Sequence, residues 1–217
     1  ETRLYRGDNT LKGMAKNFVL EKKKDEKEYE KNFPHRDLWG RPDAMLKWIS
    51  ILREFKSLGG ENLKVVDLGA GPASLPHIIS SLGHDVTAID ITDIDHLINQ
   101  SLVKMVLGDV LYELKQIPPV SVDVFIDSCA VTHFAPSENT GWKQVANGVS
   151  KSLKPGGKII VSSDVCFDVS VGEFIHPQVI IDIMSEEGLT LTSPYEEPEM
   201  LSDFSDPWPV VTFTFEK

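Results

Sequence analysis

The chain has 217 residues, 41% hydrophobic and 25% charged, proportions of an ordinary globular domain that exclude a collagen, a coiled coil, a disordered tail and a disulfide-dense secreted scaffold. Its formal charge is −11, from 22 Lys and Arg against 33 Asp and Glu, so no global positive field gathers a polyanion and a nucleic-acid partner is not expected. The two cysteines, Cys129 and Cys166, have no metal-ligand spacing; a reduced, cytoplasmic setting with no metal is expected, and no apolar run is long enough to span a membrane.

Residues 1–31 hold nine Lys or Arg and seven Asp or Glu, and the interleaved charges of Glu21–Lys31 read as a solvated helix. Trp39-Gly-Arg-Pro42 is a turn. Met45, Trp48, Ile49, Leu52 and Phe55 then recur at three- and four-residue spacing, which predicts an amphipathic helix opened by Pro42 and stopped by Gly59-Gly60. Residues 1–60 are expected to form an N-terminal helical lid over a domain of residues 61–217.

From residue 63 short apolar runs alternate with helical segments. Leu63–Leu68, Asp85–Ile89, Val122–Ile126 and Lys158–Ser162 read as strands, and Ser74–Leu82, Gly141–Leu153 and Pro177–Glu187 as helices. This alternation predicts a doubly wound α/β fold, a mostly parallel sheet with helices on both faces. Leu189–Thr192 and Val210–Phe215 are expected as two further strands, with a proline-bearing loop, Ser193–Pro209, between them.

The segment Val65-Val-Asp-Leu-Gly-Ala-Gly-Pro-Ala73 is a buried strand running into a glycine turn and then a helix. Ligands of open α/β sheets bind beyond the carboxyl ends of the strands. Gly69 and Gly71 let the backbone turn sharply there. A second strand ends in Asp90, nineteen residues past Gly71, the placement of a carboxylate that holds a ribose diol. A dinucleotide fingerprint would have a third glycine where Ser74 stands, and Asp67 sits badly against a pyrophosphate. It suits a cation, and S-adenosylmethionine offers a sulfonium, an ammonium, a ribose and an adenine without phosphate.

Val65–Ala73, Gly83–Asp90, Gly108-Asp109-Val110, Asp123–Cys129 and Leu153-Lys-Pro-Gly-Gly-Lys-Ile-Ile160, in this order, resemble the class I (Rossmann-like) S-adenosylmethionine-dependent methyltransferases over about residues 61–165. The resemblance implies a seven-stranded sheet whose last strand is antiparallel, with a third strand ahead of Gly108. It implies that Asp67, Gly69, Ala70 and Gly71 hold the methionyl end and Asp90 the ribose. Asp109 with the Val110 backbone then falls at the adenine amino edge, Ile91 and Gly108 also bind the cofactor, and Ser128 with its neighbours faces the reacting methyl. Ala73 stands where the family usually has another glycine. Arg41 is a candidate for the cofactor carboxylate, while Trp39 reads more simply as a core plug.

A methyl on sulfonium is already activated, so the protein mainly orients the reactants for in-line displacement. A base is needed only for a protonated nucleophile, and His133, Asp127 and Asp164 are the candidates in that order. The cysteines read as small buried residues. Asp127-Ser-Cys-Ala130 replaces the Asn-Pro-Pro-Tyr type of motif that methylates amino groups of DNA bases, so the expected acceptor is an oxygen or nitrogen of a small molecule. A protein side chain, an NAD(P)-dependent oxidoreductase and a non-catalytic cofactor-binding subunit are the alternatives.

Overall fold

Strands rich in Val and Ile on both faces need cover on both sides, and one mixed sheet between two helical layers provides it. The computed structural model describes residues 42–71, 74–93, 102–134, 139–164, 175–193 and 210–217. In chain order these form α1 (Pro42–Ser57), β1 (Lys64–Leu68), α2 (Ser74–Ser81), β2 (Asp85–Asp90), β3 (Val103–Leu107), α3 (Val110–Glu113) with a 3-10 turn at Leu114–Gln116, β4 (Val122–Ser128), α4 (Ala130–Phe134), α5 (Asn139–Ser152), β5 (Leu153–Asp164), α6 (Pro177–Glu186), β6 (Thr190–Leu191) and β7 (Val210–Glu216).

The strand order is β3-β2-β1-β4-β5-β7-β6. The first five strands in that order run parallel, and β7 pairs antiparallel with both β5 and β6. The seven-stranded, mostly parallel sheet with an antiparallel last strand therefore forms as the sequence predicts, and the third strand lies directly ahead of Gly108.

Several boundaries differ from the expectation. β4 continues to Ser128, past Ile126. β5 starts at Leu153 instead of Lys158, because Leu153 already pairs with Val122 before the register shifts and Lys158 pairs with Val124. The strand expected at Leu189–Thr192 shortens to Thr190–Leu191. α3 and α4 have four and five residues, too few to show a helical period in the sequence. The expected helix at Glu21–Lys31 and residues 1–41 of the expected lid of residues 1–60 lie outside the described residues.

One face of the sheet, with Val65, Val86, Ala88, Val124, Ile126 and Ile160, packs against α1 and α2. α1 contributes Trp48, Ile51, Leu52 and Phe55 to this layer, and Glu54 Oε2 accepts a 3.0 Å hydrogen bond from Thr214 Oγ1 on β7. The opposite face, with Val66, Leu68, Phe125, Val161 and Phe213, packs against α5 and α6. Each large apolar side chain so buried stabilises the fold by about 1.5–3 kcal/mol.

At the amino edge of the sheet Asp123 ties three strands. Its carboxylate accepts from the Lys64 N–H at 2.9 Å and from Lys154 Nζ at 2.7 and 2.8 Å. Burial works to raise its pKa, but the Lys154 ammonium and the Lys64 N–H outweigh it and hold the group below the usual carboxylate range.

α5 crosses the 3-10 turn at its closest where it has no side chain. A Cβ on Gly148 would lie 2.5 Å from Leu114 Cγ and 2.7 Å from its Cδ2, and Leu114 is buried. Alanine gains about 1 kcal/mol in helix propensity, while overpacking costs about 1–3 kcal/mol. Gly148→Ala is therefore expected to lower the unfolding free energy by about 1 kcal/mol in a urea melt.

Candidate functional site

Parallel pairing brings the carboxyl ends of β1, β2, β3, β4 and β5 to one rim, and the residues singled out in the sequence follow those ends. The turn after β1 is built by glycine: Gly69 and Gly71 take φ of 70° and 52°, a region that strains other residues. Its backbone is held by β2, since Gly69 N–H and Ala70 N–H both donate to Ile89 O, at 2.8 and 3.1 Å.

Asp90 clasps two loops. Its Oδ2 accepts from Gly71 N–H at 2.8 Å and its Oδ1 from Thr92 N–H at 2.8 Å, while its backbone O accepts from Gly108 N–H at 2.9 Å. The glycine turn, the start of the β2–β3 connection and the end of β3 thus meet on one residue. Thr92 had no part in the sequence reading; its share is a backbone N–H, which no side-chain pattern reveals.

Asp67 lies beside this clasp, at the end of β1, and is 2% exposed. Its Oδ1 is buried with no hydrogen-bond partner among the described residues. Burial, with Asp127 and Asp90 adding like charge, pushes its carboxyl up to about 8. A buried acid without a partner is costly, and a ligand cation would satisfy it.

The adenine-side candidates are split between solvent and core. Ile91 is 71% exposed, an apolar side chain left open on the rim. Asp109 is exposed and caps α3, its Oδ1 accepting from Tyr112 N–H at 3.0 Å, while Val110 is buried. These groups join the clasp through Gly108.

The catalytic candidates gather past β4, on the other side of β1. Ser128 is half-buried and pairs in register with Ser162. Asp127 is fully buried, and its Oδ1 accepts from Ala130 N–H at 2.8 Å and Val131 N–H at 3.1 Å, so this oxygen starts α4. Between them Cys129 takes φ 63° and donates its N–H to Ser162 O at 2.6 Å. His133 is exposed on α4. Thr132 on α4 and Ser163 on β5 share a hydroxyl hydrogen bond. Asp164 ends β5, but its side chain, Arg41, Trp39 and Cys166 lie outside the described residues. Cys129 is buried. No group of three or more potential metal ligands occurs among the described residues, and no described helix is long and apolar enough to cross a membrane.

The Asp67 carboxyl binds its proton up to about pH 8 in the folded chain but only to about 4 when unfolded. The folded state holds more protons in that window, so this group's contribution to stability is present below about pH 4 and is lost as pH rises through about 8. Asp67→Asn is expected to melt above the parent at pH 8.5 and level with it near pH 4. Asp90→Ala strands two N–H groups and is expected to cost about 2 kcal/mol in denaturant.

Residues 66–161 match the family described as a methyltransferase domain. No match is found among curated protein sequences. Many solved structures resemble the fold. A TehB-like SAM-dependent methyltransferase from Corynebacterium glutamicum is 16% identical, with a TM-score of 0.59 over 94% of this chain and 97% of that one. The 1,6-didemethyltoxoflavin-N1-methyltransferase of Burkholderia thailandensis, solved with bound 1,6-didemethyltoxoflavin and S-adenosylhomocysteine, is 16% identical, with a TM-score of 0.64 over 92% of this chain and 88% of that one. A SAM-dependent methyltransferase from Archaeoglobus fulgidus, 16% identical, has a TM-score of 0.63 over 80% of this chain and 94% of that one. Residues 66–161 thus match a methyltransferase-domain family, in a fold shared with solved SAM-dependent methyltransferases.

Proposed function

We propose that the chain methylates an oxygen or nitrogen of a small molecule, in the cytoplasm. The observation that carries this reading is the buried Asp67 carboxyl, with an oxygen that has no hydrogen-bond partner among the described residues, beside a glycine turn clasped to Asp90. An ammonium suits the first and a ribose diol the second, and phosphate suits neither. When bound, S-adenosylmethionine supplies an electrophilic methyl on its sulfonium.

The chain's own residues then bind and orient. Asp67 and the Gly69–Gly71 backbone hold the methionyl end and Asp90 the ribose hydroxyls. Ile91 covers a face of the adenine, whose edge meets Gly108, Asp109 and Val110. Ser128 and its neighbours line the acceptor's side of the site. Asp127, engaged in starting α4, fixes the Ser128–Ala130 turn more than it moves protons. His133, exposed on α4, takes the proton of a hydroxyl or ammonium acceptor; Asp164 is the second candidate and Arg41 remains one for the cofactor carboxylate. A small acceptor agrees with the net charge of −11, which repels polyanions, and with the 1,6-didemethyltoxoflavin bound by the Burkholderia thailandensis neighbour.

Saturating S-adenosylhomocysteine, at about 100 times its Kd, should stabilise the chain by about 2.7 kcal/mol, seen as a raised Tm, with no rise from NAD(P). Label from S-adenosylmethionine should appear in the small-molecule fraction of an extract and not in protein or nucleic acid. His133→Ala should lower kcat about 100-fold on a hydroxyl acceptor with S-adenosylhomocysteine affinity unchanged. Label in protein, or an unmoved Tm, would overturn the reading.

A further inference from the structure

Three strand ends, β1, β2 and β4, bring the carboxyl groups of Asp67, Asp90 and Asp127 to one end of the sheet, and all three are buried. They are not equivalent. Asp90 accepts from Gly71 and Thr92 N–H groups, and Asp127 accepts from Ala130 and Val131 N–H groups. Backbone donors of this kind support an ionised carboxylate. Asp67 has no such donor: its buried Oδ1 meets no hydrogen-bond partner among the described residues. The register explains the asymmetry. Asp67 pairs with Ile126 and Ala88, and Leu68 with Asp127, so Asp67 points to the α1 and α2 layer while Asp127 points to the layer that α4 starts.

Three negative charges in so dry a place would repel one another, and the group with no supporting donor is the one that keeps a proton. Burial and the like charges of Asp127 and Asp90 both act in that direction. α2, which covers the same face, brings the buried His77. From α1, Glu54 is engaged by Thr214 at the far side of the sheet.

We infer that Asp67 is a neutral acid in the ligand-free chain and releases its proton to solvent as a ligand ammonium settles beside it, so that the site exchanges a proton for a cation. This rests on the cofactor reading proposed above and goes beyond it. The Asp67 O–H bond breaks, the proton passes to the buffer, and the carboxylate pairs with the ammonium, leaving the net charge of the buried cluster unchanged. The exchange makes Asp67 a specificity residue: a ligand with the adenosine and thioether but no amine cannot drive it.

The test is calorimetric titration of the unmodified chain at pH 6 and 7, in two buffers of different ionisation enthalpy, with S-adenosylhomocysteine and with 5′-methylthioadenosine. S-adenosylhomocysteine should release close to one proton, and its Kd should tighten about tenfold from pH 6 to 7, as linkage to one proton requires. 5′-Methylthioadenosine should release none and show a flat Kd, and Asp67→Asn should remove both effects for S-adenosylhomocysteine. Binding of S-adenosylhomocysteine with no proton release and a flat Kd overturns the exchange alone, as does equal release by the two ligands. No binding of S-adenosylhomocysteine overturns the cofactor reading and the exchange with it.

Discussion

The parallel pairing of β1 with β4 is the constraint on which the rest depends. The chain leaves β1 toward the α2 layer and β4 toward the α5 layer. Two neighbouring strands whose continuations depart to opposite faces leave a crevice between their ends. Among the described residues, what lines this crevice is turns and strand termini. Gly69 to Gly71 and the Ser128–Ala130 turn are the two walls, and their shapes follow from how abruptly each chain must leave its strand. One is made of glycine; the other is forced through Cys129 in a left-handed conformation and held by Asp127 and Ser162.

The electrostatics follow from the same geometry. Turns at the ends of parallel strands present N–H groups, and carboxylates are their natural acceptors. Asp90 and Asp127 are placed to use those donors and are therefore parts of the scaffold as well as of the site. In register Asp67 stands one residue before Asp127 and two before Asp90, on the opposite side of the pleat from Leu68, and among the described residues no turn N–H is hydrogen-bonded to it. The division of labour among three acids of one residue type is thus set by how far along its strand each one stands.

Much of this was legible in the sequence because the signals were local. β1, β2 and β7 are dense in β-branched residues, and a glycine turn after one strand with an acid closing the next is a pattern of adjacent residues. The places of Asp67 and Asp90 on the rim could be read for that reason. β5 contains the expected Lys158–Ser162 but begins earlier because pairing overrides composition: nothing in Leu153-Lys-Pro-Gly-Gly reads as strand, yet Val122 provides Leu153 with a partner. α3 and α4 are single turns of helix, below the length at which periodicity exists. The Asp127 contact with Ala130 and Val131 was hidden too, since it requires the left-handed backbone at Cys129, and Cys is not a residue type that announces one.

The packing of α1 has a consequence for how far the chain can be shortened. Trp48, Ile51, Leu52 and Phe55 cover Val65, Val124, Ile126 and Ile160, and the Glu54 contact with Thr214 joins the helix to the strand that arrives last in the sequence. A fragment beginning at residue 61 would keep Asp67, Asp90 and Asp109 and still expose to water the side of β4, β5 and β7 that α1 covers. Such a surface drives self-association. The smallest piece able to fold on its own therefore includes α1, whose start at Pro42 lies 25 residues ahead of Asp67.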